Sequence, residues 1–281
     1  MVVVSRLSSE EREKQMMEKL RSGESIESAE EMSDEYFQSV VNLMLQQADS
    51  GLAGAFSYVP WIMRAPTTEE KLAVADAVKD EVRHARAIYR LLEDLGFDAD
   101  SHVAKHDHSF RVEKESEELK NRRASGDRRL NIFYYPIDTW TDFVVFQFCV
   151  HRGTGHQLED VRKSTYGPWK REIDRIFKEE LMHVNHGDYW VKKLVLERAT
   201  KSEVQVALNK WYPRTMYIFG RPKTLQNETY RRLGLKRRDN DNVRKVFSDE
   251  VRLRCSEWGL SIPDWNPEWE KTKENGVTTN Q

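Results

Sequence analysis

Two short motifs that pair a glutamate with a histidine constrain this chain more than any other feature of its sequence. Glu81 and His84 lie in KDEVRHA, and Glu180 and His183 lie in KEELMH. A spacing of three residues places both side chains of a pair on one face of an α-helix, about one turn apart. A carboxylate and an imidazole placed in this way can hold one metal ion.

Both pairs sit among apolar residues at helical spacing, which favours an inward orientation. A buried carboxylate without a partner is costly, and a metal ion would neutralise it. The alternative is that both pairs are exposed or form ion pairs with neighbours such as Arg83 and Lys178. The spacing alone leaves this alternative open.

The surrounding pattern predicts an all-α protein. Thr67 and Glu70 form a capping box after Pro66, and Gly96 stands where a carboxyl-terminal cap belongs, so a helix is predicted between them. Further helices are predicted from Ser33, from about residue 138, through the second motif, at 202–212 and at 240–258. Two motif-bearing helices separated by one long helix match a ferritin-like four-helix bundle with additional C-terminal helices.

Composition divides the chain into three parts. Residues 1–32 are predicted to be a charged, loosely attached lead-in, 33–266 the helical domain, and 267–281 a polar C-terminal tail. A polar stretch at about 97–130 is predicted to be a mostly exposed insertion. It contains a trio of histidines, for which a solvated loop is the favoured interpretation because no glutamate–histidine pair like the two motifs above accompanies them. These histidines are His102, His106 and His108.

The charge balance argues against two classes of partner. Lys and Arg number 45 against 47 Asp and Glu, a formal net charge of -2, so neither nucleic acid nor a membrane is expected as a partner. The amino end has only three consecutive valines and resembles neither a signal peptide nor a membrane span. Cys149 and Cys255 are predicted to be free thiols, and the expected location is the cytoplasm.

Five segments give the chain a more specific likeness. PWIMRAPTTEEK, KDEVRHA, STYGPW, KEELMH and FGRP follow one another in an order that resembles the family of the catalytic component of phenylacetyl-coenzyme A epoxidase, within the phenylacetic acid catabolic proteins. The chain is more distantly similar to benzoyl-coenzyme A epoxidase. The resemblance implies a ferritin-like bundle whose di-iron centre activates oxygen to epoxidise an aromatic ring carried as a coenzyme A thioester.

The resemblance assigns Glu81, His84, Glu180 and His183 as metal ligands, but two other ligand positions differ. The family has a glutamate ten residues before the tryptophan that matches Trp61, and this chain has Gly51 there. It also has an aspartate fifteen residues before the tyrosine that matches Tyr166, where this chain has His151.

Two residues are candidates to fill these positions. His151 can ligate a metal as a neutral imidazole or can be a hydrogen-bonded core residue. Asp49 lies about 200° around an ideal helix from Gly51, so it would reach the centre only through a bulge or a shifted alignment.

The expected function is that of a non-haem iron monooxygenase with one or two irons, or with manganese, acting on an aromatic acyl-coenzyme A or a related apolar substrate. Electrons would come from a separate reductase, because a dinucleotide fingerprint and a cysteine-rich cluster motif are both missing from the sequence. An oligomer with itself or a related subunit is also expected. The alternatives are a mononuclear or mixed-metal enzyme and a non-catalytic structural or regulatory subunit. The loss of two carboxylates would weaken the binding of a second iron.

Overall fold

The computed structural model describes residues 8–113, 118–197, 199–267 and 269. Within these ranges the chain folds into α-helices and short 3-10 helices, with no β-strand beyond an isolated bridge between Ile26 and Tyr166. The all-α prediction is therefore confirmed, and the architecture is a ferritin-like bundle. The α-helices are α1 (Ser9–Arg21), α2 (Asp34–Arg64), α3 (Thr68–Asp94), α4 (Ala99–Lys105), α5 (Trp140–Val161), α6 (Gly167–Leu196), α7 (Lys201–Met216), α8 (Leu225–Arg232) and α9 (Asn240–Glu257).

Four long helices form the bundle as two helical hairpins. Short turns join α2 to α3 and α5 to α6, and a long connection from residue 95 to residue 139 links the two hairpins. The strongest packing is within each hairpin, while α3 also contacts α6, and α7 covers α5. The bundle therefore brings one face of each long helix towards a common interior.

The helix α3 forms where its sequence signals predict it. The Thr67 side chain accepts a hydrogen bond from the backbone N–H of Glu70, and the helix begins at Thr68. The reciprocal half of the predicted capping box is absent, and the Glu70 carboxylate contacts His186. It ends at Asp94, and Gly96 has a positive φ of 84°, a conformation that glycine adopts without steric cost. These caps fix the position of Glu81 and His84 near the middle of the helix.

The close approach of α6 to α5 depends on a glycine. A Cβ atom at Gly187 would lie 2.8 Å from the backbone nitrogen of Phe148 and 2.9 Å from its Cα. Only a residue without a side chain allows the two backbones to come this near. Since Gly187 lies one turn after His183, this contact holds the second motif beside α5.

Two segments pack more closely than their polarity predicts. The lead-in contains α1, capped by Ser8 and Glu11, and its Met16 is buried together with Ile26. In the predicted exposed insertion, Asp127 and Arg129 are almost wholly buried and form an ion pair with an N–O distance of 2.8 Å. The described parts of both segments therefore contain residues that are buried against the rest of the chain.

Three other predictions concern the cysteines, membrane-spanning helices and the carboxyl-terminal tail. Cys149 and Cys255 are buried free thiols, as predicted. Among the described residues, no helix is both long enough and apolar enough to cross a membrane. The predicted tail at 267–281 lies outside the described residues except for Pro267 and Trp269.

Candidate metal centre

The two glutamate–histidine pairs meet in the interior of the bundle. Glu81 and His84 project from α3, and Glu180 and His183 project from α6, with each residue at most 7% exposed. The Nδ1 atom of His84 lies 3.4 Å from Oε1 of Glu180, and Nδ1 of His183 lies 3.8 Å from Oε1 of Glu81. The inward orientation that the apolar neighbours favoured is therefore the observed one.

The α5 helix adds His151 to this cluster. Its Nδ1 atom lies 2.8 Å from Oε2 of Glu180 and 3.8 Å from Oε1 of Glu81. One potential ligand atom from each of Glu81, His151, Glu180 and His183 lies within 4.8 Å of all the others. An imidazole thus occupies the place where the resemblance implies an aspartate.

The α2 helix contributes a glycine rather than a carboxylate. A Cβ atom at Gly51 would lie 3.6 Å from Oε2 of Glu81, so this position faces the centre as the ungapped count along the chain predicts. Asp49 is directed elsewhere. Its carboxylate accepts hydrogen bonds from Tyr89 and from the backbone N–H of Arg128, and it also contacts His102. The structure therefore does not bring Asp49 to the centre.

Each histidine of the centre has a polar group near its outer nitrogen, Nε2, and in His84 and His151 that group is within hydrogen-bond distance. His84 contacts Oε2 of Glu179 at 2.6 Å, and His151 contacts the hydroxyl of Tyr58 at 2.9 Å. In His183 the same atom lies 3.6 Å from Oδ2 of Asp80. Outer carboxylate and hydroxyl partners of this kind fix the ring orientation of metal-binding histidines.

The inner nitrogens provide the test of whether a metal fits. The buried Nδ1 atoms of His84 and His183 have no hydrogen-bond partner, although buried polar atoms are normally paired. Both point towards buried carboxylates, and a metal ion would satisfy them. Glu81, His151, Glu180 and His183 offer two carboxylates and two imidazoles close enough to share an ion, with the His84 imidazole beside Glu180, and this donor set fits iron or manganese. With only two carboxylates, it suits one ion better than two.

Two of the outer partners carried a sequence signal that the motif analysis missed. Asp80 directly precedes Glu81, and Glu179 directly precedes Glu180, so each motif is an acidic pair followed by a histidine. Asp80 of α3 faces His183 of α6, and Glu179 of α6 contacts His84 of α3. Tyr58 was also missed, although it lies two helical turns after Gly51 and therefore on the same face of α2.

Burial and mutual repulsion control the ionisation of the two glutamates. Burial and the charge of Glu180 raise the pKa of Glu81 to about 8. Burial also opposes ionisation of Glu180, but the surrounding imidazoles of His151, His183 and His84 hold the pKa of Glu180 well below its usual range. One carboxyl therefore tends to keep a proton while the other is ionised.

The histidines respond to the same two effects. Burial opposes protonation of His84 and His183, but their glutamate neighbours raise the pKa of His84 to about 9 and that of His183 to about 8. Burial lowers the pKa of His151 and favours its neutral form. The protons held here are those that a bound metal ion would displace.

A cavity of about 130 Å³ adjoins the centre and provides space for a ligand. Glu81, His84, His151 and Glu180 line it together with apolar residues such as Phe133. A second, more polar cavity of about 80 Å³ shares Gln46, Gln157 and Lys236 with the first. The two cavities are therefore neighbours. Apart from the glutamates and histidines of the centre, the lining of the 130 Å³ cavity is chiefly apolar.

Comparison with known proteins places the chain in a family. Residues 13–280 match the family model described as phenylacetic acid catabolic protein. The chain belongs to the phenylacetic acid catabolic protein family. It is also 27% identical over 247 residues to the A subunit of 1,2-phenylacetyl-CoA epoxidase of Escherichia coli (strain K12). That alignment covers 85% of this chain and 73% of the relative.

Proposed function

We propose that the chain is a non-haem iron monooxygenase of the epoxidase type, acting on an aromatic acyl-coenzyme A thioester or a related apolar substrate. The observation that carries this proposal is the arrangement of the three histidines. His84, His151 and His183 direct Nδ1 towards two buried glutamates, while polar partners occupy or approach their outer nitrogens. A relative named as a phenylacetyl-CoA epoxidase subunit supports the choice of substrate class.

The residues that would hold the iron are Glu81, His84, His151, Glu180 and His183. When bound, iron supplies the activation of dioxygen that no amino-acid side chain provides. Glu179, Tyr58 and Asp80 would keep the imidazoles oriented, and Gly51 leaves space beside Glu81.

The cavity supports the choice of an apolar ring as the substrate group. Phe133, Val150 and Ile176 line it beside the glutamates, so a ring placed there would be shielded from water. Lys236 and Arg123 line the neighbouring polar cavity, where cationic groups suit the phosphates of coenzyme A. Electrons would come from a separate reductase. Assembly with another copy or with a related subunit is part of the proposal, because the relative is named as one subunit of its enzyme.

Activity and metal content together test the proposed function. The iron-loaded chain, supplied with a reductase, dioxygen and phenylacetyl-coenzyme A or benzoyl-coenzyme A, should yield oxygenated thioester. Glu180→Ala removes a proposed ligand, so its iron affinity should fall by more than the roughly 10- to 100-fold that is lost when a hydrogen-bond partner of a ligand is removed. Product should disappear. Glu172→Ala, in the same helix but away from the centre, should keep both. An iron-loaded wild-type chain that forms no product with either thioester would favour the non-catalytic alternative.

A mononuclear centre is a second candidate because α2 offers Gly51 instead of a carboxylate. We expect Gly51→Glu to bind one more iron per chain than the wild type, since the added side chain would start beside Glu81 in ordinary contact distance. Gly51→Ala is the matched control, because it adds a Cβ without a carboxylate and should leave the iron count unchanged. Two irons per wild-type chain, with no further increase in Gly51→Glu, would contradict the mononuclear interpretation.

A further inference from the structure

A second group of metal-binding side chains lies outside the central cluster. Asp49 of α2 meets His102 of α4, whose Nε2 atom lies 3.0 Å from Oδ1 and 3.1 Å from Oδ2 of the aspartate. The Nε2 atom of His108, just after α4, lies 3.5 Å from Oδ1. Potential ligand atoms of these three residues all lie within 4.8 Å of one another.

His108 is the member of this group that hydrogen bonding leaves unexplained. The residue is 2% exposed, and its Nε2 atom is buried without a hydrogen-bond partner. A hydrogen bond from His102 to Asp49 would account for His102 alone. A buried polar atom left unpaired costs about 1 to 3 kcal/mol, so an additional group at this point is physically favoured. The unpaired atom faces a carboxylate that is itself fully buried.

The charge around Asp49 suits a cation. The Asp49 carboxylate is fully buried and accepts hydrogen bonds from the Tyr89 hydroxyl and the Arg128 N–H, which are both uncharged donors. The buried guanidinium of Arg129 in the same connection is paired with Asp127, so its charge is balanced locally. The negative charge of Asp49 is therefore left for a cation, which the two imidazoles could bind together with the carboxylate.

We propose that Asp49, His102 and His108 form a second metal site, for a divalent ion of the zinc type. Two imidazoles and one carboxylate are a common ligand set for Zn²⁺, with a fourth position left for water. The site would tie α2 to α4 and to the segment after it. Its ligands are separate from those of the central cluster, so its occupancy does not depend on the proposed oxygenase activity.

Zinc binding by the full-length chain tests this site directly. In the variant E180A/H183A, which lacks two residues of the central cluster, we expect about one zinc per chain at micromolar free Zn²⁺ after gel filtration, as measured by elemental analysis. Adding His108→Ala should abolish this zinc. Adding His106→Ala should leave it, because the His106 ring lies near that of His102, with 4.6 Å between ring centroids, but is outside the ligand set.

Cobalt provides a readout that remains useful if His108→Ala fails to fold. In the same E180A/H183A background, His108→Cys should give a thiolate-to-cobalt charge-transfer band on addition of Co²⁺, because a thiolate at this position would replace one ligand. His106→Cys, in the same background, should give none. The proposal is overturned if E180A/H183A binds no zinc, if a folded His108→Ala chain retains it, or if the charge-transfer band is absent from His108→Cys.

Discussion

The histidine at position 151 shows how one substitution changes the chemistry that a buried site can perform. A carboxylate would bring negative charge between α5 and α6, whereas the imidazole of His151 can bind a metal only through a neutral nitrogen. Its Nδ1 atom faces Glu180 while its Nε2 atom contacts Tyr58. The resemblance identified position 151 from the sequence, and helical spacing put Tyr58 on the same face of α2 as Gly51, but only the folded chain shows that Tyr58 contacts His151.

Changing His151 separates a ligand from a packing residue. If His151 binds metal, His151→Asp should strengthen retention of a second iron by adding an anion, and His151→Ala should weaken iron retention. If its role is packing alone, His151→Ala should lose about 1 to 3 kcal/mol of stability with unchanged iron per folded chain. The measurements are the iron content per folded chain and the stability in urea denaturation, for both variants and the wild type. Unchanged iron content in both variants would end the ligand assignment.

Single helices were predictable to different degrees, depending on where their signals lie. The bounds of α3 followed from local capping chemistry at Thr67 and Gly96, which the sequence displays openly. By contrast, α1 has a charged sequence and buries few side chains, among them Met16, so the lead-in gave no strong amphipathic signal. The burial of Asp127 and Arg129 was not predicted, because charged residues are buried only when they are paired and the sequence does not show which residues pair.

The close contact between α5 and α6 makes the fold sensitive to substitution of Gly187. Gly187→Ala should destabilise the fold by about 1 to 3 kcal/mol, because its Cβ would collide with the backbone of Phe148. Gly155→Ala is the matched control within α5, since nothing lies within 4 Å of a Cβ at that position. It should be neutral or stabilise by up to about 1 kcal/mol. Equal denaturation midpoints for the two variants would show that the helices can separate without cost.

For the whole molecule, the long connection between the two hairpins contributes to the core as well as joining them. Its Arg129 donates hydrogen bonds to the backbone carbonyls of His108 and Phe110, and its ion pair with Asp127 is shielded from solvent. The sequence predicted the bundle because helical periodicity is local. It could not predict this folded connection, since its contacts join residues about twenty positions apart.

Removing the partner of Arg129 should destabilise the whole fold. Asp127→Asn leaves a buried cation without its counter-ion, and we expect a loss of about 3 to 5 kcal/mol at pH 7 in urea denaturation. The exposed Asp100→Asn in α4 is the control, with an expected change within about 0.5 kcal/mol. A loss below about 1 kcal/mol for Asp127→Asn would mean that the backbone carbonyls alone stabilise Arg129.

The same ion pair gives the stability a defined dependence on pH. Burial opposes ionisation of Asp127, but its hydrogen bonds with Arg129 and Ser125 lower its pKa to about 2 in the folded chain. The stabilisation is therefore complete above the ordinary aspartate pKa of about 4 and is lost as the pH falls through 2. The stability difference between wild type and Asp127→Asn should narrow over that interval. A difference that stays constant from pH 5 to pH 2.5 would contradict this account.

The ring of His84 lies between a buried carboxyl group and a partly exposed one. One nitrogen faces buried Glu180, and the other contacts Glu179, whose side chain is 19% exposed and is paired with the half-exposed Arg83. An imidazole can accept a proton at one nitrogen and release one from the other. In the metal-free chain, His84 therefore connects buried Glu180 to partly exposed Glu179 through a single ring, and this connection would let a proton leave the interior without separation of the helices.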